Sequence, residues 1–205
     1  MRPSISSRHR FHPVIDIVQT FELADGGLLL YQEGFLPSPE ADRYLSELLA
    51  STKWEQKAAA FGYRQPRLTA SFGDAGLCYR YSRTLNFAEA WTPTLREIKD
   101  RIESVKGRYN FCLLNRYRSG QDSIGMHADN EPEMGNVIGS LSLGATRTFR
   151  VRHNVSRQSF SLAVRHGTLI IMAGTMQQHW KHGIPKTTAQ VGERINLTFR
   201  EIHQV

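Results

Sequence analysis

The chain has 205 residues, long enough to bury a substantial core and suited to one domain or one domain with an appendage, of which one domain is the simpler expectation. Its formal charge of +7 favours a polyanionic partner, nucleic acid ahead of an anionic membrane because no basic amphipathic helix stands out. No run nears the roughly eighteen consecutive apolar residues that cross a bilayer, and the N-terminus lacks the apolar core of a secretion signal, so a soluble, cytosolic monomer is expected, nuclear or organellar if the source is eukaryotic.

Two cysteines, Cys78 and Cys112, are too few for a disulfide framework and lack the paired spacing of a zinc site; reduced thiols are expected. Residues 2–10 are rich in Arg and Ser and free of acid, and read as a short tail rather than a transit peptide. Gly26-Gly27 then opens an apolar strand, Leu28–Tyr31. Ser38-Pro39 supplies a helix start, a capping hydroxyl followed by Pro in the first turn, and Ala41, Tyr44, Leu45, Leu48 and Leu49 follow at helical spacing. A second helix begins at Thr92-Pro93, carries Leu95, Ile98, Ile102 and Val105 on one face, and ends at Gly107. Both helices are expected on one side of a sheet.

Between them, residues 61–83 interleave Phe61, Tyr63, Phe72, Tyr79 and Tyr81 with arginines, with Asp74 the only acid. Aromatics that stack bases and arginines that meet phosphates make a nucleic-acid-binding loop. The alternative is a hairpin with half-buried aromatics, which the segment taken by itself favours. From residue 109 onward the pattern is of strands: Tyr109, Phe111, Leu113, Asn115 and Tyr117 alternate, followed by Ile138–Leu143, Arg147–Arg152, Ser159–Val164, Thr168–Met172 and Arg194–Ile202. A mainly β, α+β jelly roll flanked by helices is the expected fold.

His127 and Asp129 lie two apart after a turn-prone stretch, so on an extended strand both would point to one face and could grip one ion. Further on, His179-Trp180-Lys181-His182-Gly183 offers two candidates to complete a two-His, one-carboxylate face, the set that leaves open positions on non-haem Fe(II). A zinc hydrolase could use the same ligands. Arg194-Ile195-Asn196-Leu197-Thr198-Phe199-Arg200 alternates strictly, so Arg194, Asn196, Thr198 and Arg200 share a face. Turned inward, that face would let an arginine pair with a dicarboxylate, which a zinc hydrolase does not need. Asn115 and Tyr117 could hydrogen-bond the same ligand.

Together these residues resemble the AlkB family of Fe(II)- and 2-oxoglutarate-dependent nucleic-acid dioxygenases, and look closest to its duplex-DNA-repairing, animal-type branch. The resemblance rests on Asn115-Arg116-Tyr117, His127-x-Asp129, His182-Gly183-Ile184-Pro185 and Arg194-x-Asn196-Leu197-Thr198-Phe199-Arg200, with Pro66-Arg67, Gly73–Leu77, Tyr79, Tyr81 and Ser82 upstream. It implies a double-stranded β-helix at about 108–202 under a nucleotide-recognition lid at about 54–90, within a domain at 28–205 preceded by a tail and approach at 1–27. It implies that His127, Asp129 and His182 hold Fe(II), that Arg200 pairs with the C5 carboxylate of 2-oxoglutarate, that Arg194 binds its other end near the metal, and that Asn115, Arg116, Tyr117, Asn196 and Thr198 belong to the same pocket. Tyr81 would stack on a flipped base, Phe61-Gly62 would fill the gap it leaves, and Arg67, Tyr79, Asn130 and Glu131 would also face substrate. Many relatives carry Asp where this chain has Asn130, which leaves Glu131 as the nearest carboxylate for a cationic base. The implied reaction consumes 2-oxoglutarate and O₂ and demethylates 1-methyladenine and 3-methylcytosine in DNA, with RNA as a further substrate. The alternatives are an RNA or protein dioxygenase of the same fold and a catalytically silent nucleic-acid-binding module.

Overall fold

The structure, a computed structural model, describes residues 18–58, 63–81 and 84–203, with backbone alone at 78–81 and 84–86. Phe61 and Gly62 therefore lie outside the described residues, as do the side chains of Tyr79 and Tyr81. In chain order the strands are β1 (Val18–Leu23), β2 (Gly27–Gln32), β3 (Leu68–Gly73), β4 (Cys78–Tyr81), β5 (Thr84–Phe87), β6 (Glu89–Ala90), β7 (Phe111–Tyr117), β8 (Ile124–His127), β9 (Ile138–Gly144), β10 (Arg147–His153), β11 (Ser159–Val164), β12 (Thr168–Gly174), β13 (Trp180–Ile184) and β14 (Arg194–Arg200). The helices are α1 (Ser38–Ser51), α2 (Pro93–Val105) and the single turn α3 (Met176–His179). None of the described helices is long and apolar enough to cross a membrane.

The strands build an eight-stranded sheet, ordered β1-β2-β12-β9-β14-β7-β3-β6, and a four-stranded sheet, ordered β11-β10-β13-β8, with β4-β5 as a separate hairpin. Leu29, Tyr31, Ile138, Ile170 and Met172 of the larger sheet meet Phe149, Val151, Val164, Trp180 and Ile184 of the smaller one in a single apolar cluster. Two such sheets packed face to face form the jelly roll expected from the sequence. On its other face the larger sheet is covered by α1 and α2, through Ala41, Tyr44, Leu48, Leu95, Ile98 and Ile102.

Local chemistry sets the helix ends. Thr92 caps α2, its hydroxyl accepting from the Leu95 amide at 3.2 Å. Beyond the C-terminal end, Gly107 sits at φ +95°, where a side chain would be strained. At α1 the expected cap is displaced: Pro37 occupies the capping position and Ser38 is the first helical residue, with no side-chain cap hydrogen bond.

β14 pairs antiparallel with β7 on one side and β9 on the other, and all seven of its residues are buried. Ile195, Leu197 and Phe199 join Cys112 and Leu114 of β7 in the core beneath the helices, where Phe199 stacks on Trp91 at 6.2 Å. The alternate face turns Asn196, Thr198 and Arg200, with Leu113, Asn115 and Tyr117 of β7, toward a cleft between the sheets. Because the register places Asn196 opposite Asn115 and Arg194 opposite Tyr117, the polar residues of two strands become one surface.

Candidate active site

His127, Asp129 and His182 converge in that cleft, each offering a ligand atom within 4.8 Å of the others. His127 is the last residue of β8 and is the cross-strand partner of His182 on β13. The pairing is irregular between His182 and Ile184, and such an irregularity re-aims side chains. It depends on Gly183, since a Cβ there would lie 2.9 Å from the carbonyl oxygens of Ile124 and Gly125. His179, the competing candidate, lies elsewhere, with Asp25 and His153.

The protonation states suit a cation. His127 Nδ1 is 2.9 Å from the Gly125 carbonyl, so it carries the hydrogen and leaves the Nε2 lone pair toward Asp129 Oδ1, 3.7 Å away. Burial, reinforced by His127, pushes the His182 imidazole down to about 3, so the ring stays neutral and able to ligate. Burial alone would raise the Asp129 carboxyl, but Arg200 and the two imidazoles pull it well below the usual carboxylate range. Asp129 is thus a fully buried anion whose Oδ1 has no hydrogen-bond partner among the described residues. An oxygen in that state is costly unless something positive meets it, and one carboxylate with two imidazoles is the donor set of non-haem Fe(II).

Arg200 Nη2 donates to Asp129 Oδ2 at 3.0 Å. This reverses the expected order of the two arginines. Arg200 belongs to the metal end, and Arg194, about 20 Å further along the strand at roughly 3.3 Å per residue, belongs to the far end. Arg194 is 1% exposed and has no carboxylate within salt-bridge distance among the described residues. It donates to Ser142 Oγ at 2.8 Å and to Asn196 Oδ1 at 2.6 Å, lies over the Tyr117 ring at 5.1 Å, and keeps Nε and Nη1 unbonded. Burial lowers its pKa to about 10, which leaves it a full cation at neutral pH. A buried guanidinium held only by neutral groups is half of an ion pair whose other half must come from a ligand. Asn196 Nδ2 passes the chain of hydrogen bonds on to Thr198 Oγ1 at 2.9 Å.

Two expected contacts are relocated. Arg116 occupies the opposite face of β7, because alternation sends it away from Asn115 and Tyr117; it pairs with Glu193 at 2.7 Å and lies over Trp54. Arg67 is 5% exposed and donates to Asn115 Oδ1 at 2.7 Å, so it supports the cleft wall instead of presenting a charge to substrate. Asn130 is exposed, whereas Glu131 keeps one carboxylate oxygen, Oε2, buried and without a hydrogen-bond partner among the described residues.

The structure adds residues that no sequence pattern marked. Gln177, buried on α3, accepts the Asp129 amide hydrogen through Oε1 at 3.0 Å and directs Nε2 at Met172 Sδ. Arg147 donates to the Ser119, Asp122 and Pro185 carbonyls, tying the turn before β8 to the segment after β13. Arg147 opens the buried face of β10, shared with Phe149, Val151 and His153, and Gln177 lies on a single helical turn; in both cases only tertiary contact reveals the partners. Leu113, Ile124, Phe149, Met172 and Ile184 supply the apolar lining of the cleft.

Residues 28–200 match the 2OG-Fe(II) oxygenase superfamily. The chain is 39% identical over 186 residues to human alpha-ketoglutarate-dependent dioxygenase alkB homolog 3, covering 83% of this chain and 64% of that protein. It is 38% identical over 180 residues to human DNA oxidative demethylase ALKBH2, covering 80% of this chain and 69% of that protein. Among solved structures, that of OsALKBH1 is similar with a TM-score of 0.63 at 19% identity over 89% of this chain and all of that one. A prolyl hydroxylase from Trichoplax adhaerens scores 0.59 at 12% identity over 85% and 83%; likenesses this distant in sequence speak to the fold alone. The chain belongs to the 2OG-Fe(II) oxygenase superfamily and, within it, to the AlkB family. It spans somewhat less than two thirds of the length of its ALKBH3 relatives.

The residues present fit the family's cofactors: the orphaned Asp129 oxygen and the two imidazoles, whose ligand atoms lie within 4.8 Å of it, suit Fe(II), and Arg194, with no carboxylate partner among the described residues, suits a dicarboxylate. Gln177→Ala should loosen Fe(II) by about 10- to 100-fold, since removing partners that orient metal ligands typically costs that much. Competition against a chelator measures it, and unchanged retention would reduce Gln177 to packing.

Proposed function

We propose that this chain carries out Fe(II)- and 2-oxoglutarate-dependent oxidative demethylation of N-alkylated bases in nucleic acid, with 1-methyladenine and 3-methylcytosine in DNA as substrates. The observation that carries the reading is a two-His, one-carboxylate face, with Asp129 and His182 buried and His127 half-buried, on the same inward-turned surface as a buried arginine with no counter-ion among the described residues. The relatives' names, which include DNA oxidative demethylase, support the choice of reaction. A net charge of +7 supports the choice of polyanion.

When bound, Fe(II) with 2-oxoglutarate and O₂ supplies the oxidising power that hydroxylates the N-methyl carbon, with succinate and CO₂ as the co-products. The remaining work falls to this chain. His127, Asp129 and His182 would hold the metal, with the Gly125 carbonyl fixing one imidazole, Arg200 fixing the carboxylate and Gln177 fixing the Asp129 backbone amide. Arg194 would pair with the far carboxylate of 2-oxoglutarate, with Asn115, Tyr117, Asn196 and Thr198 completing the pocket. The apolar lining keeps bulk water from the reacting carbon. The hydroxymethyl product then collapses to formaldehyde and the repaired base.

Residues of about 54–90 would form the lid that presents the base. Exposed aromatics there, Tyr63 at 74% and Phe87 at 73%, support a stacking surface, with Tyr79 and Tyr81 on the β4 strand beside it. Glu131, two residues beyond Asp129, would offer its buried oxygen to the positive charge of the alkylated ring.

Formaldehyde release from 1-methyladenine oligonucleotides should require both Fe(II) and 2-oxoglutarate, should vanish in His182→Ala, and should persist in His179→Ala. Release unaffected by His182→Ala would remove this cleft from the chemistry. If Phe61 acts as the wedge, Phe61→Ala should cost severalfold more on duplex than on single-stranded substrate, because filling the gap offsets an unstacking cost of a few kcal/mol that single strands do not incur; equal losses would contradict it.

A further inference from the structure

Asp25, His153 and His179 form a second cluster of metal-ligand type outside the cleft, their ligand atoms also within 4.8 Å of one another. They come from three segments far apart in sequence. Asp25 lies in the single 3-10 turn Ala24–Gly26 between β1 and β2, His153 ends β10, and His179 ends α3. Hydrogen bonds independent of the three side chains hold these segments in place. Trp180 Nε1 donates to the Ala24 carbonyl at 3.0 Å, Thr175 Oγ1 to the Asp25 carbonyl, and the Asn154 amide to the His179 carbonyl at 2.9 Å. The spacing of the cluster is therefore a property of the fold.

Each member is disposed toward a shared ligand. Asp25 has φ +59°, an unfavourable backbone for a residue with a side chain, and its carboxylate reaches His153 Nε2 at 2.8 Å. His153 is buried and braced edge-on against Trp180 at 4.8 Å. His179 lies 6.5 Å from it, ring to ring and near parallel, and its ring makes no hydrogen bond among the described residues. A simple Asp25–His153 hydrogen bond, with the Ser156 amide donating to Nδ1 at 3.0 Å, accounts for two of the three residues. It gives His179 nothing to do.

We propose that Asp25, His153 and His179 bind a divalent cation of the zinc class, separately from the metal of the cleft. Two imidazoles and a carboxylate make three ligands of a tetrahedral zinc site and leave the fourth place to water. The Asp25 side chain is 55% exposed, which provides both an entry path and the freedom to close the site. For His153 Nε2 to ligate, its proton moves to Nδ1, where Ser156 Oγ, 2.9 Å away, accepts it. The Ser156 amide then turns to solvent, to which Ser156 is already exposed. Neutral imidazole changes tautomer in this step, so no net proton is lost. The ion would clamp the β1–β2 turn, the end of β10 and α3 together, and stabilise the fold by mass action.

Equilibrium dialysis of the full chain against Zn²⁺ with elemental analysis tests this. Wild type should bind two ions per chain, His127→Ala/His182→Ala one, and wild type carrying His179→Ala one, with at least 100-fold weaker binding at the altered site. Asp25→Asn, which keeps the hydrogen bond to His153 but removes the charge, should weaken the same ion while leaving the circular dichroism unchanged. Should the cleft variant fold poorly, the wild-type count falling from two to one in His179→Gln decides the question by itself. A count of one in wild type, a second ion that survives both His179→Ala and Asp25→Asn, or binding only at millimolar Zn²⁺ would overturn the proposal.

Discussion

Strand β14 is buried along its whole length and still carries two guanidiniums, and the site is organised by how each of those charges is met. Taking a charge out of water costs several kcal/mol unless a partner replaces the solvent. Arg200 has Asp129, and in holding that carboxylate ionised it prepares the anionic ligand of the metal face. Arg194 has Ser142, Asn196 and the face of Tyr117, none of them a carboxylate. The two ends of one strand thus differ: Arg200 is neutralised within the fold, whereas Arg194 has no carboxylate partner among the described residues, the state that our proposal of an incoming dicarboxylate requires.

The surrounding architecture serves that asymmetry. Pairing with β7 and β9 gives β14 no solvent face, so strict alternation divides it into a helix-side core of Ile195, Leu197 and Phe199 and a cleft-side polar row. The smaller sheet brings His127 and His182 across from that row, with Gly183 allowing the close approach of β8. Arg147 and Gln177 then fix the turns and the Asp129 peptide, so the ligands stand in place before any ion binds.

Much of this was legible in the sequence because alternation is a strong signal. The strands at 138–143, 147–152, 159–164 and 168–172 are present within a residue or two at their ends, and the polar face of 194–200 is the inward one. What pattern could not supply is direction and depth. The strand shows two arginines six apart, yet only the position of Asp129 beside Arg200 says which is near the metal. Arg116 follows Asn115 in the family motif, but a neighbour on a strand points the opposite way, here to Glu193. Arg67, which the resemblance has facing substrate, is buried against Asn115. Strand β1 gives a weak signal because only Phe21 and Leu23, two apart, are half-buried against the core, while its other four residues are exposed. The residues alone leave His179 and His182 open and the family resemblance implies His182; the physical reason is three-dimensional, since His179 ends α3 beside Asp25 and His153.

The central claim is that Arg194 is the unfilled half of an ion pair with the co-substrate while Arg200 serves the metal face. Calorimetric titration of 2-oxoglutarate into the anaerobic, Fe(II)-loaded protein tests it most directly. The account predicts one molecule bound per chain in wild type, and at least a hundredfold weaker binding in Arg194→Met, as losing a buried charge partner worth about 3 kcal/mol or more requires. The metal content of that variant should be unchanged. Equal affinity in wild type and Arg194→Met would contradict it.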